Sequence, residues 1–324
     1  MKQLFIAASA TVLLGSCTSS LTTPIEVSKE KEQLVVNGFV AMINQTIPTA
    51  AVQVSVTQKL SQPGTPQMVT DAFVELNGTG FSYNPAESLY IPQTGINNAS
   101  SFKMNITAGT IKASAEDVLP AFVPIVSATF TGVKKLISRY GGDTPTDYYE
   151  IKISFDDPSQ AGDYYQLVMS VADSMQVASG FLFGSTEYDP DVVCNDVGVY
   201  EEQVIEQDPF ENNANVFIPS NMVLMSDKYF NGQRKELTFY VSNYFLVGFP
   251  EFPDTSAPQP SEYVYMGLHH MSKKSFNHYK NVKLQQWNEG NPFAEPTIVP
   301  GNVSGALGFF GCRSISTTKL KTPL

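Results

Sequence analysis

In the stretch YEIKISF (residues 149–155), Tyr149, Ile151, Ile153 and Phe155 alternate with Glu150, Lys152 and Ser154. Successive side chains of an extended chain point to opposite faces, so this pattern gives a strand with one apolar face. A helix would scatter the same residues around its axis. The same period of two recurs with Val52, Val54 and Val56 in AVQVSVTQ, and with Phe102, Met104, Ile106 and Ala108 in FKMNITA. It returns with Tyr165, Leu167, Met169 and Val171 in YQLVMSV, and with Leu237, Phe239 and Val241 in ELTFYVS. LVVNGFV (residues 34–40) and DAFVEL (residues 71–76) are shorter strand candidates. The 15 Tyr and 21 Phe suit half-buried pleated surfaces, and the 22 Gly and 21 Pro supply turns. The fold class expected from these features is mainly β.

The organisation follows from where the alternation stops. About five strands with turn signals between them suggest a small antiparallel sandwich over residues 33–122. LPAFVP (residues 119–124) carries two prolines that a central strand cannot hold, which sets a boundary there. Residues 123–324 then read as a larger β domain with long loops, notably the polar run 187–215. One segment breaks the pattern. SKKSFNHYKNVKLQQW (residues 272–287) spaces Phe276, Tyr279, Val282 or Lys283, and Trp287 near a 3.6 period, with Ser272 placed to cap a helix.

GNVSGALGFFG (residues 301–311) holds four glycines in eleven residues. A dinucleotide loop needs G-x-G-x-x-G between a strand and a helix, and a Walker loop needs Gly-Lys-Ser/Thr. The glycines at 301, 305, 308 and 311 match neither. They read as a last strand, ALGFFGC, whose glycines let another backbone come close.

The amino terminus points to a membrane. Lys2 precedes an eleven-residue apolar run, LFIAASATVLL (residues 4–14). As a helix that run rises about 16 Å, short of the ~30 Å hydrocarbon core, so it reads as a signal peptide over residues 1–16. It ends in Leu14-Gly15-Ser16-Cys17, which resembles the bacterial lipobox, in which the cysteine is acylated and becomes the mature first residue. Two or three acyl chains on Cys17, at ~0.8 kcal/mol per buried methylene, exceed what stable anchoring needs. Residues 17–32 then form the lipidated cysteine and a polar, flexible tether. The expected location is the cell envelope, as an outer-membrane lipoprotein.

A net charge of −11 opposes nucleic acid, which requires a basic footprint. With Cys17 acylated, Cys194 and Cys312 remain; they can form a long-loop disulfide or stay as two buried thiols. No CxxC, H-E-x-x-H or EF-hand order is present, and no cofactor or metal is expected. His269 and His270 fall at the end of a strand just before the helix that carries His278, so all three read as solvated or hydrogen-bonded. The carboxylates of SFDDPSQAGDYY and of EYDPDVVCND (residues 187–196) read as turn residues. The best candidate for contact with a ligand or partner is the loop 242–263, where Tyr244, Phe245, Phe249 and Phe252 sit among four prolines. The alternative is that these rings fold back over the sheet.

The closing stretch NPFAEPTIVPGNVSGALGFFG is similar to the C-terminal signature of the DUF4249 family, Gram-negative envelope lipoproteins of no established biochemical function. The matching residues are Asn291, Pro292, Phe293, Pro296, Asn302, Val303, Gly305, Gly308, Phe310 and Gly311. The chain departs at Gly301, where the family has Ser, and at Ala306, where it has a second Gly. LVVNG, DAFVEL and YYEIKISFDDPSQAGDYYQLVM match upstream in the same order. The resemblance implies an immunoglobulin-like or carboxypeptidase-regulatory-like first sandwich. It also implies an accessory role beside a TonB-dependent outer-membrane transporter, since such genes accompany one another. No catalytic residue is assigned, and a glycan- or peptide-binding module and a hydrolase remain as other readings.

Overall fold

The computed structural model describes residues 32–58, 65–137, 145–170, 192–194, 217–218, 222–242, 262–288 and 297–323. Within them the protein is mainly β, with one α-helix near the C-terminus. The first half runs β1 (Leu34–Ile43), β2 (Thr49–Val56), β3 (Gln67–Met68), β4 (Phe73–Leu76), β5 (Thr79–Asn84), β6 (Leu89–Pro92), β7 (Ser101–Ala108) and β8 (Ile111–Val118). The second runs β9 (Ile125–Ile137), β10 (Pro145–Asp156), β11 (Tyr164–Ser170), β12 (Val192–Cys194), β13 (Phe217–Ile218), β14 (Met222–Ser226), β15 (Arg234–Ser242) and β16 (Tyr263–Met271). Helix α1 (Lys273–Asn288) and β17 (Leu307–Lys321) close the chain.

A twelve-stranded sheet runs β14-β11-β16-β17-β1-β2-β6-β5-β4-β7-β8, with β3 on β2; a five-stranded sheet runs β13-β12-β15-β10-β9. One end of the large sheet curls on itself. Val36, Val52 and Val54 of β1 and β2 thereby meet Val74, Leu76, Phe102, Met104 and Ile106 of β4 and β7 in a first, sandwich-like core. The other end faces the small sheet. Tyr165, Leu167, Met169, Val223, Met225, Met266 and Leu268 pack there against Ile151, Ile153, Phe155, Leu237, Phe239 and Val241. The inward sets expected on β7, β10, β11 and β15 lie in these cores, and each fully buried Leu, Ile or Phe contributes about 1.5–3 kcal/mol. Val171 lies outside the described residues.

Strand β17 joins the two cores. Its first part, Leu307 to Ile315, pairs in parallel with β1, and Arg313 to Lys321 pairs antiparallel with β16. The sheet is therefore continuous across the boundary expected near residue 122, and the first core is completed by Phe310 and Cys312 from the chain's far end. The glycines that precede and open β17 make this possible. A Cβ on Gly308 would sit 2.0 Å from the Val36 carbonyl oxygen, and its φ of +112 suits glycine. At Gly305 (φ +83) a Cβ would meet the Lys112 carbonyl oxygen at 2.3 Å. The glycine-rich stretch is a backbone-contact device, as its spacing implied.

Residues 119–124 form a connector outside the strands, between β8 and β9. Leu119 packs on the first core and Val123 lies in the second. Ser314 Oγ donates to the Pro120 carbonyl (2.6 Å), and the Ile125 amide donates to Ser316 Oγ (2.9 Å). Ser272 caps α1 as expected: its Oγ accepts from the Ser275 amide at 3.2 Å. Phe276 is buried against Leu224 and Met271, its ring 4.9 Å from that of Tyr164. The described helix is not long and apolar enough to cross a membrane.

Candidate functional site

Two buried polar networks sit where the elements meet. The first centres on Asp117. IKASAEDV places Ala113, Ala115 and Asp117 in phase on the inward face of β8, so a carboxylate enters an apolar row. It accepts from the Cys312 amide (2.8 Å), Ser272 Oγ (2.9 Å) and Ser275 Oγ (3.4 Å). One side chain thus ties β8, β17 and the first turn of α1. Burial raises the Asp117 pKa, and the donated hydrogen bonds only partly oppose this. Nearby, Arg313 is buried, donating to Tyr279 Oη (2.7 Å), with Nη1 3.4 Å from His269 Nδ1.

The second network lies at one end of β10, β11, β14 and β16. Tyr165 Oη donates to Asp157 Oδ1 (2.5 Å), and the Gly232 amide donates to Asp157 Oδ2 (2.8 Å). The Gly162 amide donates to Asp227 Oδ2 (2.7 Å). Register sets Tyr165 opposite His270, whose ring stacks on it at 4.9 Å. His270 Nε2 lies 2.9 Å from Asp163 Oδ1, and Nδ1 lies 2.8 Å from the Ala121 carbonyl. Oxygens of Asp157, Asp163 and Asp227 lie within 4.8 Å of one another. Burial raises the pKa of Asp157 and of Asp163, opposed by Tyr165 and Gly232 at the first and by His270 at the second. It also pushes the Tyr165 phenol up, with the Asp157 hydrogen bond adding to it. Each carboxylate is held by a protein donor, and the network organises loops 157–163 and 227–233: the Asp157 amide donates to the Gln233 carbonyl, and the Asp227 amide to that of Asp163. We read it as a hydrogen-bonded scaffold.

The histidines end up in separate roles. His269 and His270 close β16, as expected, while His278 stacks on Phe309 at 4.0 Å and its Nδ1 donates to the Pro300 carbonyl (2.7 Å). Burial lowers the His278 pKa. Among the described residues none of the three joins a group of metal-ligating side chains. Cys312 is a free, buried thiol in the first core, so the bridge to Cys194 considered above is not made. Cys194 belongs to β12 of the other sheet, paired with Phe239. Burial raises the Cys312 pKa far above that of an exposed thiol. Cys17, its tether, and the loop rings Tyr244, Phe245, Phe249 and Phe252 lie outside the described residues. An open depression of mixed polar and apolar lining lies on β7 and β8, formed by Asn105, Ile106, Thr107, Lys112, Ala113 and Ser114, with Ser304 beside it.

Sequence reasoning missed Asp117 and Asp227. The first had a signal, a charge in phase with buried alanines. The second had none, because only the pairing of Tyr164 with Ser226 brings Asp227 beside Asp163.

A family model described as a domain of unknown function, DUF4249, matches residues 21–319. The chain belongs to the DUF4249 family. The matched span includes both cores, the connector and both buried networks. No curated protein matches the chain. Among solved structures it is similar to a serine-rich repeat adhesion glycoprotein from Streptococcus agalactiae, at 12% identity and a TM-score of 0.18, over 73% of this chain and 91% of that one. A score that low supports no inference about fold or function.

Proposed function

We propose that this DUF4249 protein is a lipid-anchored component of the Gram-negative cell envelope, held at the outer membrane through Cys17. It acts as a non-enzymatic accessory or binding partner of a TonB-dependent transporter. The observation that carries the reading is the Leu14-Gly15-Ser16-Cys17 tetrad directly after an eleven-residue apolar run. Family membership supports it, and so does the use of the buried polar groups: the hydrogen bonds of Asp117, Asp157, Asp163 and Asp227 organise strands and loops. The first core is read as immunoglobulin-like. Mass spectrometry of the natural product tests the anchor, with an acylated Cys17 as the first residue expected; an unmodified thiol there removes the reading. Pull-down from detergent-solubilised membranes tests the partner, and recovery of no β-barrel transporter ends that part.

A second reading rests on the loop 242–263, where Phe249 and Phe252 stand among four prolines. It would make the protein a glycan- or peptide-binding module. Replacing both by Ala is then expected to abolish retention on a glycan or peptide array, and unchanged retention counts against it.

A further inference from the structure

His270 faces two acceptors with one ring. Its Nδ1 lies 2.8 Å from the Ala121 carbonyl, which can only accept, so Nδ1 carries a hydrogen. Its Nε2 lies 2.9 Å from Asp163 Oδ1. With no proton between them, a ring lone pair and a carboxylate lone pair would point at each other. A neutral imidazole has a single N–H and can serve only one of the two acceptors. The observed geometry therefore needs one more proton, which belongs to the His270–Asp163 pair rather than to either residue alone. The other carboxyl oxygen, Asp163 Oδ2, is buried and accepts no hydrogen bond from the described residues, so an unshared negative charge on this group is unfavourable.

We infer that this shared proton is a pH-sensitive lock on the connector between the two cores. While it is held, His270 fastens Ala121 of the connector to Asp163 at the foot of β11. When it is lost as pH rises, the single hydrogen left on the ring goes to Nε2, because the ionised Asp163 is a stronger acceptor than a carbonyl, and the Ala121 end of the connector loosens. The groups facing His270 favour retention of the proton. Asp157 and Asp227 place carboxylate oxygens within 4.8 Å of those of Asp163. On β11 the Tyr165 ring stacks against the imidazole while its hydroxyl donates to Asp157. On β17 the register partner of His270 is the uncharged Ser314, which holds the Pro120 carbonyl, and Arg313 is directed to His269 and Tyr279. The Ser314 and Ser316 contacts carry no titrating group, so only the Ala121 tie depends on pH. The inference is independent of the proposed anchor and partner.

The test uses the whole protein, labelled with nitrogen-15 at histidine and titrated between about pH 5 and pH 9. H270Q assigns the ring signals. The expected result is a His270 ring with Nδ1–H and a proton on or shared by Nε2 at the acid end, changing to a single N–H on Nε2 at the alkaline end. Hydrogen exchange at the Phe122 and Val123 amides, corrected for intrinsic rate, should rise by roughly tenfold across the same titration, one pKa unit's worth of coupling. In D163N the side-chain amide donates to Nε2 of a neutral ring, so the lock stays closed and exchange becomes flat with pH. A bare Nε2 throughout, a bare Nδ1 already at the acid end, exchange that ignores pH, or D163N that titrates like the parent each overturns the inference. Should D163N fail to fold, the nitrogen titration of the parent protein decides.

Discussion

Strands β9 and β17 are both long and both contain glycine, yet their surroundings are opposite. β17 lies between β16 and β1 in the large sheet, and its residues from Phe309 to Ser316 are buried on both faces. Among the described residues β9 is the edge of the small sheet, paired only with β10, and it exposes Val126 and Val133. Register shifts against β10 and Lys134 and Lys135 on its outer part protect that edge from adding a further strand. A Cβ on Gly308 would collide with the β1 backbone, whereas one on Gly132 of β9 meets nothing within 4 Å among the described residues. Glycine is a requirement where a second backbone arrives, and only a local choice where none does.

The sharpest way to break this contrast is G308A. The clash at 2.0 Å and the φ of +112 cannot be relieved by a rotamer change. A loss of at least about 3 kcal/mol is expected in urea unfolding. Parent-like stability would mean that β17 does not lie against β1.

Asp117 tests the same junction from its polar side. D117A leaves the Cys312 amide buried without its acceptor and should lose about 2–3 kcal/mol. D117N keeps an acceptor and removes the buried charge. Because burial raises the Asp117 pKa, its favourable contribution is complete below the ordinary carboxylate value of about 4 and is lost as pH rises through the raised folded value. The parent should therefore lose stability over that window, and D117N should lose less. Equal pH profiles in chemical denaturation would refute the assignment.

G132A carries the smallest change in stability. The site is open and its backbone conformation is available to alanine, so a gain of about 0.5 kcal/mol is expected from the stiffer unfolded chain. A marked loss would show a neighbour on that edge. For the thiol in β17 no change is expected at all. Cys312 should resist maleimide in the native state, and reductant should leave the melting temperature unchanged; a fall matching the ~4–5 kcal/mol of a long-loop bridge would restore the pairing with Cys194.

Much of the fold was legible because period-two alternation encodes which face is buried. Phe102, Met104 and Ile106 on β7, and Ile151, Ile153 and Phe155 on β10, needed no knowledge of their partners. Ser272 was legible as a cap because capping is local. The two networks were legible only in part. The acids of SFDDPSQAGDYY were visible as turn residues, but Asp227 and His270 reach them through the pairings β11–β14 and β11–β16. Register between distant strands leaves no mark in either strand alone.

The chain's residues by themselves determined its strand faces, its one described helix and the glycines that admit a close neighbour, since each depends on side-chain volume and local geometry. Tertiary structure alone decided that the last strand completes the first core, that Cys312 stays a thiol, and that His270 lies between Asp163 and the Ala121 carbonyl. Those outcomes depend on which backbones lie side by side, and that is settled by the joint burial of residues hundreds of positions apart.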